Sequence, residues 1–421
     1  MEQVLLYQHE DGGAADMSGQ APEIDVTIVM PCLNEVGCLP HCIANAQEAL
    51  RQISTSLGLK GEILVADNGS TDGSQAAARA LGARVVDVPM RGYGAALLGG
   101  GTAAAGRFVL MGDADGSYDF TEGTAMIASL RDGADLCMGS RFKGEIKPGA
   151  MPWKNRYIGN PALTGLLNLL FRSGIGDAHC GLRAIRKSTL LSLQLSGTGM
   201  EFASEMVIKA TLRRVIITER PATLSPDRRN SAPHLRPWRD GWRHLRYLFM
   251  LSPLGLFAVP ALIAVATAAF ILVAAWLGGR GVIAPTFGTT WTILAGALLG
   301  LGHLGLLMAV ATHLYGVKAG YRRPHRILVR MRDVLTLETM LIAGAACIIA
   351  GATGLLLVAA GWSEGGYVAL RSNLPVVLSV AATVVGTQHL FGGFLLAVIG
   401  GNEAAFLGDA NGATAISATS P

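Results

Sequence analysis

The sequence predicts an α/β domain with a mostly parallel sheet, followed by an α-helical transmembrane domain of four spans. Three observations predict it. Short β-rich apolar runs alternate with helical stretches in the first half. Polar residues follow the ends of those runs. Beyond about Arg246 the chain is nearly free of charge for long stretches, which raises the composition to 51% hydrophobic and only 15% charged. That balance is too apolar for an ordinary soluble enzyme.

The first strand is read over Asp25–Pro31, and further strands over Glu62–Ala66, Ala83–Val88, Arg107–Met111 and Ala134–Met138. Helices are expected at Val36–Ser56, Gly73–Leu81, Gly94–Ala105 and Thr121–Arg131. Such alternation places helices on both faces of a parallel sheet. Ligands then bind beyond the carboxyl ends of the strands. Pro253–Leu277, Gly281–Gly316, Thr339–Ser363 and Ser372–Asn402 contain no Asp, Glu, Lys or Arg. Each can cross roughly 30 Å of hydrocarbon. Before them, Trp238, Trp242, Leu245 and Phe249 share one helical face beside Arg236, Arg239, Arg243 and Arg246. Aromatic rings next to arginines suit the headgroup layer, and packing on the soluble domain is the alternative. The expected boundaries are a tail over 1–23, an α/β domain over 24–228, an interfacial helix over 229–250, the spans over 251–402 and a tail over 403–421.

The formal charge of +4 does not mark a nucleic-acid binder. Lys318, Arg322, Arg323, Arg326, Arg330 and Arg332 lie between the second and third spans, so that loop reads as cytoplasmic. Both termini and the α/β domain then face the cytoplasm of a plasma-membrane protein. Met1–Ala21 is polar and lacks the apolar core of a signal peptide, so a disordered cytoplasmic tail is expected. His303, His313, Gln388 and His389 fall inside spans, where they read as hydrogen bonds between helices or as a polar pathway. Cys38, His41 and Cys42 read as helix packing, with metal ligation the alternative.

Three polar rims should converge. They are Pro31-Cys-Leu-Asn34-Glu35, Asp67-Asn68-Gly-Ser-Thr-Asp72 and Asp113-Ala114-Asp115. Two carboxylates one residue apart at a strand end can hold a hard divalent ion, Mg²⁺ or Mn²⁺, which would bridge a diphosphate. The stretch opened by Arg91-Gly92 precedes a helix whose first amides could face a phosphate. Neither a dinucleotide fingerprint nor a Gly-Lys-Ser/Thr loop occurs.

In order and spacing, Pro31-x-x-Asn34-Glu35, Asp67-x-x-Ser70-x-Asp72, Arg91-Gly92 and Asp113-x-Asp115 resemble the GT-A fold of family 2 glycosyltransferases. Gly139-Ser140-Arg141 and Asp177-Ala-His-Cys-Gly181-Leu-Arg183 are similar to the polyprenyl-phosphate branch of that family. The resemblance covers Val26 to Thr223. It implies nucleotide-sugar binding by the rim residues, a metal at Asp113 and Asp115, and catalytic roles for Asp115, Arg141, Asp177 and Arg183. The implied reaction moves a hexose from a UDP- or GDP-linked donor to a polyprenyl phosphate, with inversion. A lipid phosphate is already anionic at neutral pH, so positioning and charge handling matter more than a strong base. Arg141 and Arg183 would clamp that phosphate, and Asp177 would orient an arginine or the sugar. Glu201 and Glu205 are further candidates for the site. Membrane lipids are expected partners, and a homo-oligomer is allowed for. The rival function is a membrane scaffold or lipid carrier with a degenerate transferase domain.

Overall fold

A computed structural model describes residues 24–229, 237–370 and 372–406. The tail expected over 1–23, Arg236 of the basic stripe, Arg371 and residues 407–421 lie outside the described residues.

The first half is one sheet with helices on both faces. Its strands are β1 (Val26–Cys32), β2 (Gly61–Asp67), β3 (Arg84–Asp87), β4 (Phe108–Met111), β5 (Leu136–Ser140), β6 (Arg183–Arg186) and β7 (Ile217–Pro221). They run in the order β3-β2-β1-β4-β6-β5-β7. All pairings are parallel except those of β6, which runs antiparallel to β4 and β5. The helices are α1 (Leu39–Leu57), α2 (Ser74–Ala80), α3 (Tyr93–Ala103), α4 (Gly123–Arg131), α5 (Asn160–Phe171), α6 (Lys187–Ser192) and α7 (Phe202–Arg213).

The two-residue period of a strand sorts its side chains onto two cores. Ile28 and Met30 of β1 join Leu39, Ile43 and Ile127 on one face. Val29 joins Leu97, Met111, Phe202 and Met206 on the other. Both faces are covered, so strands β1, β2 and β4 are apolar runs rather than alternating ones. Helix α1 begins at Leu39, three residues later than expected. Glu35–Cys38 forms a turn closed by the Cys38 amide on the Glu35 carbonyl, and Pro40 then opens the helix.

α8 (Pro237–Met250) leads into a turn of π-helix over Leu254–Ala258 and then α9 (Val259–Gly279). α10 (Thr289–Lys318), the short α11 (Arg326–Arg330), α12 (Leu337–Glu364) and α13 (Leu374–Gly400) follow. Among the described residues four helical segments are long and apolar enough to cross a membrane, with mean hydropathy from 1.6 to 2.6. Gly344 of α12 and Gly386 of α13 face one another so closely that a Cβ on either would lie under 3 Å from the other's carbonyl oxygen. Small residues at such crossings let helix backbones meet in lipid.

Candidate active site

The order of the sheet reverses between β1 and β4, because β1 connects outward to β2 while β4 leads the other way. A crevice opens at such a switch point, and the rims lie at its mouth.

The donor-side rims are tied to each other. Asp67 ends β2 and is 1% exposed. Its Oδ2 accepts from the amides of Gly69 and Ser70, both at 3.0 Å, and from Gln75 Nε2 at 2.7 Å. Burial alone would raise its pKa, but the bonds from Ser70, Gln75 and Gly69 outweigh it and hold the carboxyl below its usual value. Its Oδ1 is buried and has no partner among the described residues. Asn68 latches the following loop, donating to the carbonyls of Val88 and Met90 and accepting from the Gly92 amide at 2.7 Å. Arg91 donates back to the Asn68 carbonyl. Asn34 holds a left-handed backbone with φ of 58° and bonds Ser70 and Thr71. Asp72 accepts from the Val36 amide and from Ser74, so it ties the turn after β1 to the start of α2.

The phosphate role expected of the first amides of α3 meets an obstacle. The Gly92 amide is taken by Asn68 and the Ala95 amide by the Thr198 carbonyl at 3.1 Å. Gly92 sits at φ of 136°, and a Cβ there would lie 2.1 Å from that carbonyl oxygen. The helix start is thus packed against residues 197–199.

Asp113 and Asp115 lie beyond β4. Asp113 accepts from the Tyr93 hydroxyl at 2.9 Å, and Asp115 from the Ser117 amide at 3.0 Å. Burial first, and then the charge of Asp115, pushes the Asp113 carboxyl up to about 6. Two hard oxygen donors so placed fit a divalent cation, which would favour the ionised form of Asp113. Among the described residues no three His, Cys, Asp or Glu side chains converge for a metal. An ion at Asp113 and Asp115 would therefore draw its other ligands from substrate oxygens and water.

Arg229 was not expected at the site. The chain after β7 runs back along the acidic loop, with Ser225 bonded to Ser117 and Arg228 to Asp115 through the backbone. Arg229 thereby reaches Glu35 Oε1 at 2.6 Å and Asp115 Oδ2 at 3.4 Å. Pro31 leads from β1 toward Glu35, and Ala114 is buried between the two carboxylates.

The second half of the site is basic. Arg141 follows β5 and grips Asp177 with Nε at 2.7 Å and Nη2 at 2.8 Å. The pair is buried, with Asp177 at 0% exposure. Arg183 opens β6, is 1% exposed and makes no ion pair among the described residues. It donates to the Cys180 carbonyl at 2.5 Å, and among the described residues its Nε has no partner. Glu205 does not join this group. It pairs with Lys209 at 2.7 Å and accepts from the amides of Ser196 and Gly197. Glu201 accepts from the Gly199 amide. The thiols of Cys32 and Cys42 are pushed up to about 11 and 12 by burial, so the cysteines near α1 pack as hydrophobes.

A family model described as Glycosyl transferase family 2 matches residues 27–192, and one described as Glycosyltransferase family 2 C-terminal transmembrane region matches 310–400. The low-salt glycan biosynthesis hexosyltransferase Agl6 of Haloferax volcanii is 35% identical, over 89% of this chain and 89% of that protein. The chain belongs to glycosyltransferase family 2. Glycosyltransferase AglJ of Haloferax volcanii is 33% identical over 51% of this chain and 68% of that protein. The polyprenol monophosphomannose synthase of Mycolicibacterium smegmatis is 28% identical over 52% of this chain and 84% of that protein. The first similarity covers most of this family 2 chain, and the other two about half of it.

Proposed function

We propose that this glycosyltransferase moves a hexose from a UDP- or GDP-linked donor to a polyprenyl phosphate at the cytoplasmic face of the plasma membrane. The observation that carries the reading is Arg183, a buried guanidinium without an acidic partner among the described residues, in a site whose opposite wall is acidic. A buried cation is costly unless an anion meets it. The acceptor phosphate is such an anion, and relatives named for polyprenol and dolichyl phosphate carry the same reading.

A phosphate oxygen of the lipid attacks the anomeric carbon as the bond to the nucleoside diphosphate breaks. The electron pair leaves with that diphosphate, and the configuration inverts. A divalent cation at Asp113 and Asp115 would neutralise the charge of the leaving group. Asp67 Oδ1 offers an acceptor to the base or ribose of the donor. Arg141, locked by Asp177, and Arg183 offset the charge of the incoming phosphate. Trp153, Tyr157, Ile158 and Leu169 are exposed around α5, and Leu170 reaches Gly255 beside the first span. That apolar surface suits entry of a lipid-borne acceptor from the bilayer.

The test is incubation of membranes holding the full chain with labelled nucleotide-sugars, followed by lipid extraction. Label should enter a mild-acid-labile lipid with one donor, and Asp113→Asn with Asp115→Asn should abolish it. Label that stays water-soluble with every hexose donor would sink the reading.

A further inference from the structure

A buried hydrogen-bond chain joins the helix before the first span to the basic half of the site. His244 of α8 meets Ser204 of α7, Nδ1 to Oγ, at 2.8 Å. Ser204 Oγ meets His179 Nε2 at 3.1 Å. The two imidazoles stand edge to face, with centroids 4.7 Å apart. The His179 amide donates to Asp177 Oδ1 at 3.3 Å, and that oxygen accepts from Arg141 Nη2. Ser204 and Asp177 are both fully buried. On the other side, α8 runs through Leu251 and Ser252 into the membrane helix α9.

We propose that Ser204 and His244 are positioning residues, which carry the seating of α8 at the membrane surface to the Asp177–Arg141 pair. The chemistry of the three groups fits a fixed link. Burial holds His179 and His244 neutral, well below the usual imidazole value for His179 and at about 4 for His244. A neutral imidazole has one donor and one acceptor nitrogen, and a hydroxyl can do both at once. Ser204 therefore donates to one ring and accepts from the other. Neither α7 nor the 177–183 loop can shift along α8 without breaking a bond that buried groups cannot replace with water. The link rests on the proposed role of Arg141 only for its effect on transfer; its effect on the loop stands alone.

The test uses the full chain in phosphatidylglycerol vesicles, with Ser204→Ala, Ser204→Thr and His244→Phe. Amide hydrogen exchange is followed across residues 177–181 and across β1 and β2. Ser204→Ala and His244→Phe should speed exchange of the loop about tenfold while β1 and β2 keep the parent rates. Ser204→Thr, which keeps the hydroxyl, should restore the parent pattern. With undecaprenyl phosphate in the vesicles and UDP-glucose or GDP-mannose as donor, kcat should fall roughly tenfold at unchanged donor KM. Unchanged loop exchange in both variants would overturn the proposal. So would an equal rise in β1 and β2, which means general loosening, or failure of Ser204→Thr to rescue. If the parent transfers neither sugar, the functional reading suffers, and the exchange pattern still decides the link.

Discussion

Gly181 has no room for a methyl group. A Cβ there would lie 2.7 Å from Asp113 Oδ2 and 2.7 Å from Tyr118 Cε2. The Gly181 amide is fixed by the Tyr118 hydroxyl at 2.9 Å, so Asp113 is the group that must move. Gly181→Ala should therefore weaken activation by Mg²⁺ or Mn²⁺ about tenfold, read from metal titrations of transfer after chelator treatment. An unchanged titration would detach Asp113 from the metal. Asp67 gives a pH signature. Its folded pKa lies below the ordinary 3.8, so its contribution is complete above that value and is lost as pH falls through the folded one. Asp67→Asn should cost about 1–3 kcal/mol at pH 7, and the gap to the parent should close as melts are taken below pH 3.8. A gap that stays constant with pH would mean that the charge is not what stabilises the loop. Arg183→Gln should cut transfer by about 100-fold while calorimetric nucleotide binding stays intact, because the lost charge faces the acceptor. If nucleotide binding is lost and the apparent lipid affinity is kept, the two halves of the site have exchanged roles. Arg229 was hidden from the sequence because its partners, Glu35 and Asp115, lie 194 and 114 positions away, and the basic pair it belongs to follows the last recognised motif. Asp67, Asp113 and Asp115 were legible because they sit at or shortly beyond the ends of apolar strands.

The same contrast holds for whole elements. Strands β1 to β5 were legible because their interiors are apolar; β1, β2, β4 and β5 are buried strands covered on both faces, and β3 is a short edge built on Val85 and Val86. β6 (Arg-Ala-Ile-Arg) and β7 (Ile-Thr-Glu-Arg-Pro) escaped notice. Each is short, and polar residues make up half of one and most of the other. β6 is a strand because β4 and β5 flank it, and β7 is an edge that need bury only one side. The sequence reads helix α8 as interfacial, with packing on the soluble domain as the alternative, and one face of α8 does pack within the protein while the other is left uncovered. Asp240, His244, Leu248 and Leu251 are buried, whereas Trp242 is 62% exposed on the other side. Lipids brominated near the headgroup should quench Trp242 more than lipids brominated deep in the chain. The difference signal between parent and Trp242→Phe isolates that residue. Absence of any lipid quenching would confine α8 to the soluble domain.

At the scale of the molecule, contacts fix which loops share a side. The segment between α10 and α12 touches the catalytic domain directly. Arg322 donates to the Leu251 carbonyl, and the Lys209 ammonium lies 5.8 Å from the ring centre of Tyr321. The chain after α13 returns to the same level, where the Leu337 amide donates to the Ala404 carbonyl and Thr336 bridges Ala405. The catalytic domain, the basic loop and the end of α13 therefore lie on one side, and the loop between α9 and α10 on the other. The proposed direction across the membrane rests on charge. Lys318, Arg322, Arg323, Arg326, Arg330 and Arg332 crowd the catalytic side, and the α9–α10 loop carries only Arg280. Basic loops are retained in the cytoplasm, where nucleotide-sugars are made and where the inner leaflet attracts positive charge. The experiment is cysteine labelling in a Cys347→Ala background, since the other five cysteines are buried in the catalytic domain. Val282→Cys, at an exposed position in the α9–α10 loop, should react with an impermeant maleimide in intact cells. Asn402→Cys should react only after permeabilisation. The opposite pattern would put the catalytic domain outside the cell, away from any cytoplasmic donor, and would overturn the orientation and the proposed donor supply together.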